Sequence, residues 1–507
     1  MAAPTSHAPA RSPADNVGTN ARSQLASPRR LPRGPRAPAF VQTLAWALAP
    51  TWMMDNCAER LGGTFTITFA PSGLKLVLVS DPEAVKAVFT APAEVAPSAA
   101  ASSPVASVMG PHSVIVLTGP EHMRQRKLLL PPFHGERMRE YEDVIVQATR
   151  RDMASWPIGG PMRLQERTRA ITLEVILRAV FGVEAERMDA LRTAIGGLLA
   201  PLHPVTMVLL ALRRPSLERP TGAIGRALDR LDGVIYEELG RRREQTDLAD
   251  RADILSLLMQ ERDEDGRPMC DEELRDELVT LLLAGHETTA TSVAWAVERL
   301  VRHPDKLKRL VAEIDADTGA GGTASGSDGD RSGGANGHSG EANGGAGGAS
   351  GRSGEGGAYM TAVVNETLRV RPVVPIVVRM LRREMQVGAY TLPPGTRVVP
   401  SIYLTNRNPR VYVEPEQFRP ERFLENPPET FSWIPFGGGI RRCIGAAFAQ
   451  LEMRLILRTV LSELEPSVPR RSHGWRRGEW TMKRAITLVP AAGARVVWER
   501  RDRRITQ

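Results

Sequence analysis

The sequence predicts a mainly α fold with minor β structure, built as a single domain. Three observations carry this. From Glu121 to about Asp317 the apolar spacing is helical, with breaks only near Pro157, 201–204 and 215–220. Two short runs, 64–70 and 74–80, are rich in β-branched residues and read as a small antiparallel sheet. Between Phe40 and the end of the chain only one stretch, 319–357, breaks the pattern by composition.

Two segments stand apart from that domain. Residues 1–38 carry seven prolines, eight alanines, six arginines and one acid, without an aromatic, and are expected to be a disordered tail. The domain is then 39–507. Residues 319–357 hold 17 of the 45 glycines and no large apolar side chain, which fits a flexible insertion. The cost of closing such a loop grows slowly with its length, so the domain tolerates it.

In chain order, an apolar helical patch from Phe40 precedes the two strands, and Asp81-Pro82-Glu83 opens a helix with a cap and a proline in its first turn. Residues 91–111, rich in Ala, Ser and Pro, form a loop. The clearest helix runs from an N-cap candidate at Asp271 to about His303, before Pro304, and its middle is apolar on all sides. A helix over 360–370, short strands, a Pro-rich irregular stretch to Phe436 and a long helix after Cys443 complete the domain.

Composition narrows the function. Lys and Arg number 66 against 58 Asp and Glu, a net charge of +8, but the two signs are interspersed and no basic arm for nucleic acid is evident. The excess suits an acidic protein partner or simply a solvated Arg-rich surface. Cys57, Cys270 and Cys443 lie too far apart for a disulfide scaffold or a CxxC knuckle, so a reducing, cytoplasmic setting is expected. The longest apolar stretch, 194–212, contains Pro201, His203 and Pro204, so no membrane span is expected.

The chemistry concentrates at Phe436-Gly437-Gly438-Gly439-Ile440-Arg441-Arg442-Cys443-Ile444-Gly445. Glycines let backbone bend and approach a flat object closely. The cysteine sits just before a helix, where free N–H groups favour a thiolate. Arg441 supplies a cation for an acidic group. A lone cysteine after a glycine turn could equally be inert and buried. The spacing F-x-x-G-x-R-x-C-x-G, however, is met at every fixed position.

Other motifs stand apart from this one. Ala284-Gly285-His286-Glu287-Thr288-Thr289 lies in the middle of the long helix, where Gly285 opens space for a ligand and the Thr288 hydroxyl can bend to a backbone carbonyl. His286-Glu287 begins an HExxH-like pattern, but Ala290 stands where the second histidine should be, which excludes a zinc protease. Glu366 and Arg369 are one helical turn apart, as are His122 and Arg126.

Together these motifs, in this order, make the chain resemble the cytochrome P-450 family of haem-thiolate monooxygenases over about 40–497. The resemblance implies the family's fold, with haem b between the long central helix and the cysteine-ligand helix, and Cys443 as its axial metal ligand. It implies that Phe436, Gly437 and Gly445 shape the ligand loop. Ala284 and Gly285 would form an O₂ groove, and Glu287 and Thr288 would be the catalytic proton-delivering pair. His122, Arg126, Arg379 and Arg441 are implied to bind the haem propionates. Glu366, Arg369 and Arg422, the last in Pro420-Glu421-Arg422-Phe423, are implied to be a structural cluster.

The implied reaction is hydroxylation or epoxidation of a lipophilic small molecule with O₂. Electrons would come from separate ferredoxin and ferredoxin reductase-type partners that dock on a basic surface around Arg124, Lys127 and Arg442. A monomer is expected. Substrate contacts by the same analogy are 104–113, 201–212, 282–287 and 374–378. Isomerase or dehydratase chemistry and a peroxygenase remain alternatives on the same fold, and a non-enzymatic haem gas sensor is disfavoured because no output domain is evident. Two departures stand out: the glycine insertion, and Asn406 where many relatives have histidine.

Overall fold

The computed structural model describes residues 31–102, 106–135, 137–182, 185–199, 219–320, 357–469 and 478–501. The chain opens with α1 (Ala39–Leu48) and α2 (Pro50–Leu61), the hairpin β1 (Thr64–Phe69) and β2 (Leu74–Val79), and α3 (Pro82–Thr90). A helical run follows: α4 (Gly119–Leu129), α5 (Arg137–Met153), then, after the short strand β3 (Pro161–Arg163), α6 (Leu164–Phe181), α7 (Ala185–Leu199) and α8 (Gly222–Glu244). It continues through α9 (Ile254–Gln260), α10 (Asp271–Leu300), α11 (Pro304–Ala320) and α12 (Ala358–Val370). Short strands β4 (Arg379–Met380), β5 (Met385–Val387), β6 (Tyr390–Leu392) and β7 (Arg397–Pro400) lead to the irregular stretch and the cysteine loop. Last come α13 (Ala446–Glu463), β8 (Leu464–Ser467), β9 (Thr481–Arg484), β10 (Thr487–Pro490) and β11 (Arg495–Arg500).

The first sheet has the order β1-β2-β7-β4. β1 and β2 pair antiparallel, Thr64 opposite Val79, as the sequence predicts. The sheet is mixed rather than purely antiparallel, because β7 runs parallel to β2 with Val77 opposite Val398. A parallel pair needs a long crossover, and here the helical run supplies it.

The predicted tail through residue 38 is corrected in its last part. Thr66 donates its backbone N–H to Arg33 O (3.1 Å) and its hydroxyl to Pro32 O (2.7 Å), so residues 31–38 line the open edge of β1. Proline-rich extended chain lacks donors but keeps its carbonyls, which suits it to a strand edge. Residues 1–30 lie outside the described residues, as do 321–356 of the glycine tract. At the borders of that tract Gly319 and Ala320 close α11, and Gly357 (φ 101°) starts α12.

Local chemistry explains the element ends. Asp81 Oδ1 accepts from Glu83 N (3.1 Å) and Ala84 N (3.4 Å), with Pro82 in the first turn of α3. On α10 the N-cap is Cys270, not Asp271: Glu273 Oε2 accepts from Cys270 N at 2.9 Å and completes a capping box, with three acids in the first turn. The helix has 30 residues and so spans about 45 Å. It stops at Leu300, four residues before Pro304.

α10 packs along α6 on one side and against α12 and α13 on the other, within one apolar core that runs from Val108 to Trp498. Smaller cores lie between α3 and the sheet (Val77, Val85, Phe89, Val398) and beneath α1 and α2 (Trp46, Met54, Phe65, Tyr403).

Candidate functional site

The cysteine loop is made by glycine. Gly437 (φ 70°) and Gly439 (φ 64°) have left-handed backbone, and a Cβ on Gly439 would come within 2.1 Å of Phe89 O. A Cβ on Gly438 would come within 2.7 Å of the Phe89 ring. The loop is therefore pressed onto the end of α3, a contact the sequence alone did not reveal. At Gly437 and Gly445, by contrast, an added Cβ would meet no protein atom within 4 Å. Cys443 N donates to Phe436 O (3.0 Å), and the Phe436 ring packs edge-on against Trp433 at 6.2 Å.

Cys443 retains accessible surface although protein groups crowd around it. Burial pushes the thiol pKa up, while the Gly445 N–H, Arg442 and Arg126 pull it down. Three residues further on, α13 begins at Ala446 with Gly445 as its N-cap.

Three arginines and a neutral histidine meet near this loop. His122 is buried on α4, and its pKa is lowered to about 4 by burial and by Arg441, Arg126 and Arg379. Arg441 is lowered to about 10 by burial, Arg379 and Arg126. Arg379 is lowered to about 10 by burial alone. Arg126 is lowered by burial, with Cys443 opposing that effect. Among the described residues no carboxylate pairs with Arg126, Arg379 or Arg441. Arg441 instead donates to the carbonyls of Val114 (3.4 Å), Ile115 (3.2 Å) and Leu117. Mutually repelling, half-desolvated cations around Cys443 are the complement of a flat ligand that carries carboxylates.

The strand of chain that Arg441 holds is also tied to α10. His112 N donates to Asp276 Oδ2 (2.9 Å), Val114 N to Glu277 Oε1 (2.7 Å), and Thr280 Oγ1 to Ser113 Oγ (2.7 Å). Glu277 is fully buried, and burial raises its pKa well above the ordinary carboxyl range. A protonated carboxyl there can accept the Val114 N–H without burying a charge.

In the middle of α10 the Thr288 hydroxyl donates to Ala284 O at 2.7 Å. Ala284 is exposed to the interior space, but Gly285 does not open room for a ligand as the sequence suggested. Its missing side chain faces α6, where a Cβ would sit 3.1 Å from Ile176 Cδ1, so Gly285 serves helix packing. Glu287 is mostly shielded from solvent, and Arg169 Nη2 on α6 donates to its Oε1 at 2.6 Å. Arg169 was not singled out in the sequence, where one arginine among many on a helix gives no signal.

A second acid also went unnoticed. Glu452 on α13 is buried, and burial raises its pKa to about 8, the Thr289 hydroxyl partly opposing this. Glu452 stands at the Leu451–Met453 turn of an otherwise apolar helix face. That isolation was the available sequence signal.

Glu366, Arg369 and Arg422 are brought together in full. Arg369 Nε and Nη2 bond Glu366 Oε2 (2.7 Å) and Oε1 (2.9 Å), and Arg422 Nε reaches Oε1 at 3.1 Å. Arg369 also donates to the carbonyls of Asn406, Pro415 and Gln417. Asn406 is buried and accepts the Ile434 N–H at 3.0 Å, so it stitches the irregular stretch as a hydrogen-bond acceptor. The expected basic docking surface is corrected. Arg124 is consumed by Asp263 and Glu273 (2.6 Å each) and Lys127 by Glu264, which leaves Arg442 exposed and without an ion pair among the described residues.

Of the stretches expected to touch substrate, 201–212 lies outside the described residues; 106–113, 282–287 and 374–378 are described. No helix among the described residues is long and apolar enough to cross a membrane.

The sequence profile described as Cytochrome P450 matches residues 32–326 and 358–491. The chain is 36% identical over 468 residues to cytochrome P450 137 of Mycobacterium tuberculosis, covering 92% of this chain and 89% of that protein. It is 36% identical over 469 residues to cytochrome P450 135B1 of Mycobacterium bovis, covering 92% and 91%. Among solved structures it is similar to the cytochrome P450DA heme domain (TM-score 0.75, 20% identity, 93% of this chain and 97% of that one). It is also similar to retinoic acid-bound cyanobacterial CYP120A1 (TM-score 0.72, 21% identity, 93% and 99%). With the glycine-built cysteine loop, the three arginines and His122 converging on it and these likenesses all along the chain, the protein belongs to the cytochrome P450 family.

Proposed function

We propose that the protein is a haem-thiolate monooxygenase that hydroxylates or epoxidises a lipophilic small molecule, with haem b held by Cys443. The observation that carries this reading is Cys443 in its glycine loop beside three arginines that have no carboxylate partner among the described residues, with the neutral His122 next to them. When bound, the haem supplies O₂ activation and a strong oxidant, favoured by electron release from the thiolate.

The chain's own residues do the rest. Cys443 would hold the haem iron through its thiolate, and the Gly445 N–H and the loop around it would shield the sulfur. Arg126, Arg379 and Arg441 would neutralise the propionates, which removes their mutual repulsion, and the neutral His122 would donate a hydrogen bond to them. Thr288 holds a hydroxyl over the interior space, and Glu287 provides a carboxylate one residue away that passes protons inward when the Arg169 bridge opens. The apolar residues of 282–283 and 374–378 bind the substrate and exclude water.

Electrons come from separate ferredoxin-type proteins that dock at the face carrying Arg442; Arg442→Glu slows reduction in a salt-dependent way. The test of the whole reading is spectroscopic and catalytic. Wild-type protein gives the thiolate-type ferrous–CO band and turns over a lipophilic substrate with NAD(P)H and a surrogate ferredoxin. Cys443→Ala loses that band. Retention of the band in Cys443→Ala, or turnover with peroxide alone, overturns the reading.

A further inference from the structure

Helix α1 is built inside out. Its ten residues, AFVQTLAWAL, carry no charge, and a helix on the surface of a water-soluble domain turns its polar residues outward. Here Gln42 is buried, with its Nε2 donating to Ala37 O (2.7 Å) and its Oε1 accepting the Thr68 N–H (2.8 Å). Trp46 is buried edge-on against Phe69 at 5.8 Å. The outward stripe is Phe40, Leu44 and Leu48, joined by Val41 and by Trp52 on α2; Phe40, Leu44, Leu48 and Trp52 are 57–66% exposed.

A second apolar projection stands beside it. β9 packs against α1, with Lys483 Nζ 5.3 Å from the Trp46 ring, and the β9–β10 hairpin leaves Trp480, Met482 and Ile486 exposed. The chain leading into this patch is basic: Arg22, Arg29, Arg30, Arg33 and Arg36 occur between residues 16 and 54, with no acid. Arg33 and Arg36 are exposed at the foot of α1. The nearest acids on the far side are Asp55, which accepts from the Tyr403 hydroxyl (2.8 Å), and Glu59, about 10 Å beyond Trp52 and next to Arg60.

We propose that this face seats the protein on an anionic lipid surface, with the α1 stripe and the hairpin tip dipping into the boundary between headgroups and acyl chains while Arg33 and Arg36 meet lipid phosphates. A bilayer offers apolar depth and a negative rim together, and tryptophans favour that boundary. A second copy of this chain fits the face poorly, because a two-fold contact would bring Arg33 and Arg36 against their own kind. Attachment of this depth requires no spanning helix, and none is present among the described residues.

The test is co-sedimentation of the full-length holoprotein with vesicles of phosphatidylglycerol and phosphatidylcholine, and with phosphatidylcholine alone. The wild type pellets with anionic vesicles and is released by high salt, and its partitioning falls at least tenfold on neutral vesicles and in Leu44→Glu/Leu48→Glu. If that variant loses its circular dichroism, Trp480→Ser/Ile486→Ser on the hairpin carries the same expectation. Wild type that stays in the supernatant with anionic vesicles overturns the proposal, as does a folded variant that binds like wild type. A dimer in sedimentation velocity that the same substitution disperses, with no vesicle binding, gives the face to a second copy and overturns it too.

Discussion

Arg169 Nη2 on α6 grips Glu287 Oε1 on α10 at 2.6 Å, with both side chains about four-fifths shielded from solvent. The bridge anchors the Glu287 carboxylate to α6, so on the proposed function proton delivery waits on its opening. Arg169→Gln removes this anchor and changes turnover while leaving spectral substrate binding intact. Glu287→Gln lowers turnover on the order of 10²-fold. Thr288→Ala leaves substrate binding intact but diverts reducing equivalents to peroxide. Turnover against pH, spectral substrate titration and peroxide released per NAD(P)H consumed check these outcomes.

Arg369 is fully buried and satisfies Glu366 together with three carbonyls of the irregular stretch. Arg369→Met leaves a buried carboxylate with only Arg422 and the Arg419 N–H on one oxygen, and costs about 3–5 kcal/mol of stability. Arg369→Lys does not restore it, because a point charge cannot bond Glu366 twice and reach three carbonyls. Urea unfolding of the two variants, with the yield of haem-loaded protein, measures this.

The glycines of the cysteine loop are not equivalent. Gly439→Ala drives a Cβ toward Phe89 O in backbone that already disfavours side chains, so the loop must shift and haem retention collapses. Gly437→Ala meets no protein atom and incurs chiefly the left-handed penalty, about 1–2 kcal/mol. Haem content after purification and gel filtration separates the two variants.

Glu452 gives a pH signature. Its folded-state pKa is raised to about 8 from an ordinary 4.5, so between those values the folded chain holds a proton that the unfolded chain has released. Stability from this group is therefore highest below pH 4.5 and declines as pH rises to about 8, at about 1.4 kcal/mol per pH unit. Glu452→Gln, neutral at every pH, removes that slope. Denaturant midpoints from pH 5 to 9 for wild type and variant test the sign.

The sequence revealed most where its signals were local or tightly spaced. The β1–β2 hairpin follows from β-branched runs, α10 from a long apolar period that ends before Pro304, and the Glu366–Arg369 pair from one helical turn. The cysteine loop stood out because glycine spacing encodes backbone shape directly. What stayed hidden depends on distant partners. Arg169 meets Glu287 only because α6 lies along α10, Phe89 meets Gly439 only through the seat of α3, and β7 joins β2 in parallel only after the whole helical run has folded between them. The same reason explains the error at Gly285: whether a missing side chain admits a ligand or a neighbouring helix is decided by packing.

The crowding of His122, Arg126, Arg379 and Arg441 has a cellular consequence. On the proposed function, a chain that folds before its porphyrin arrives would carry the three crowded arginines uncompensated, and the tetrapyrrole's carboxylates would relieve them. Protease resistance of newly made chains would then rise with tetrapyrrole supply.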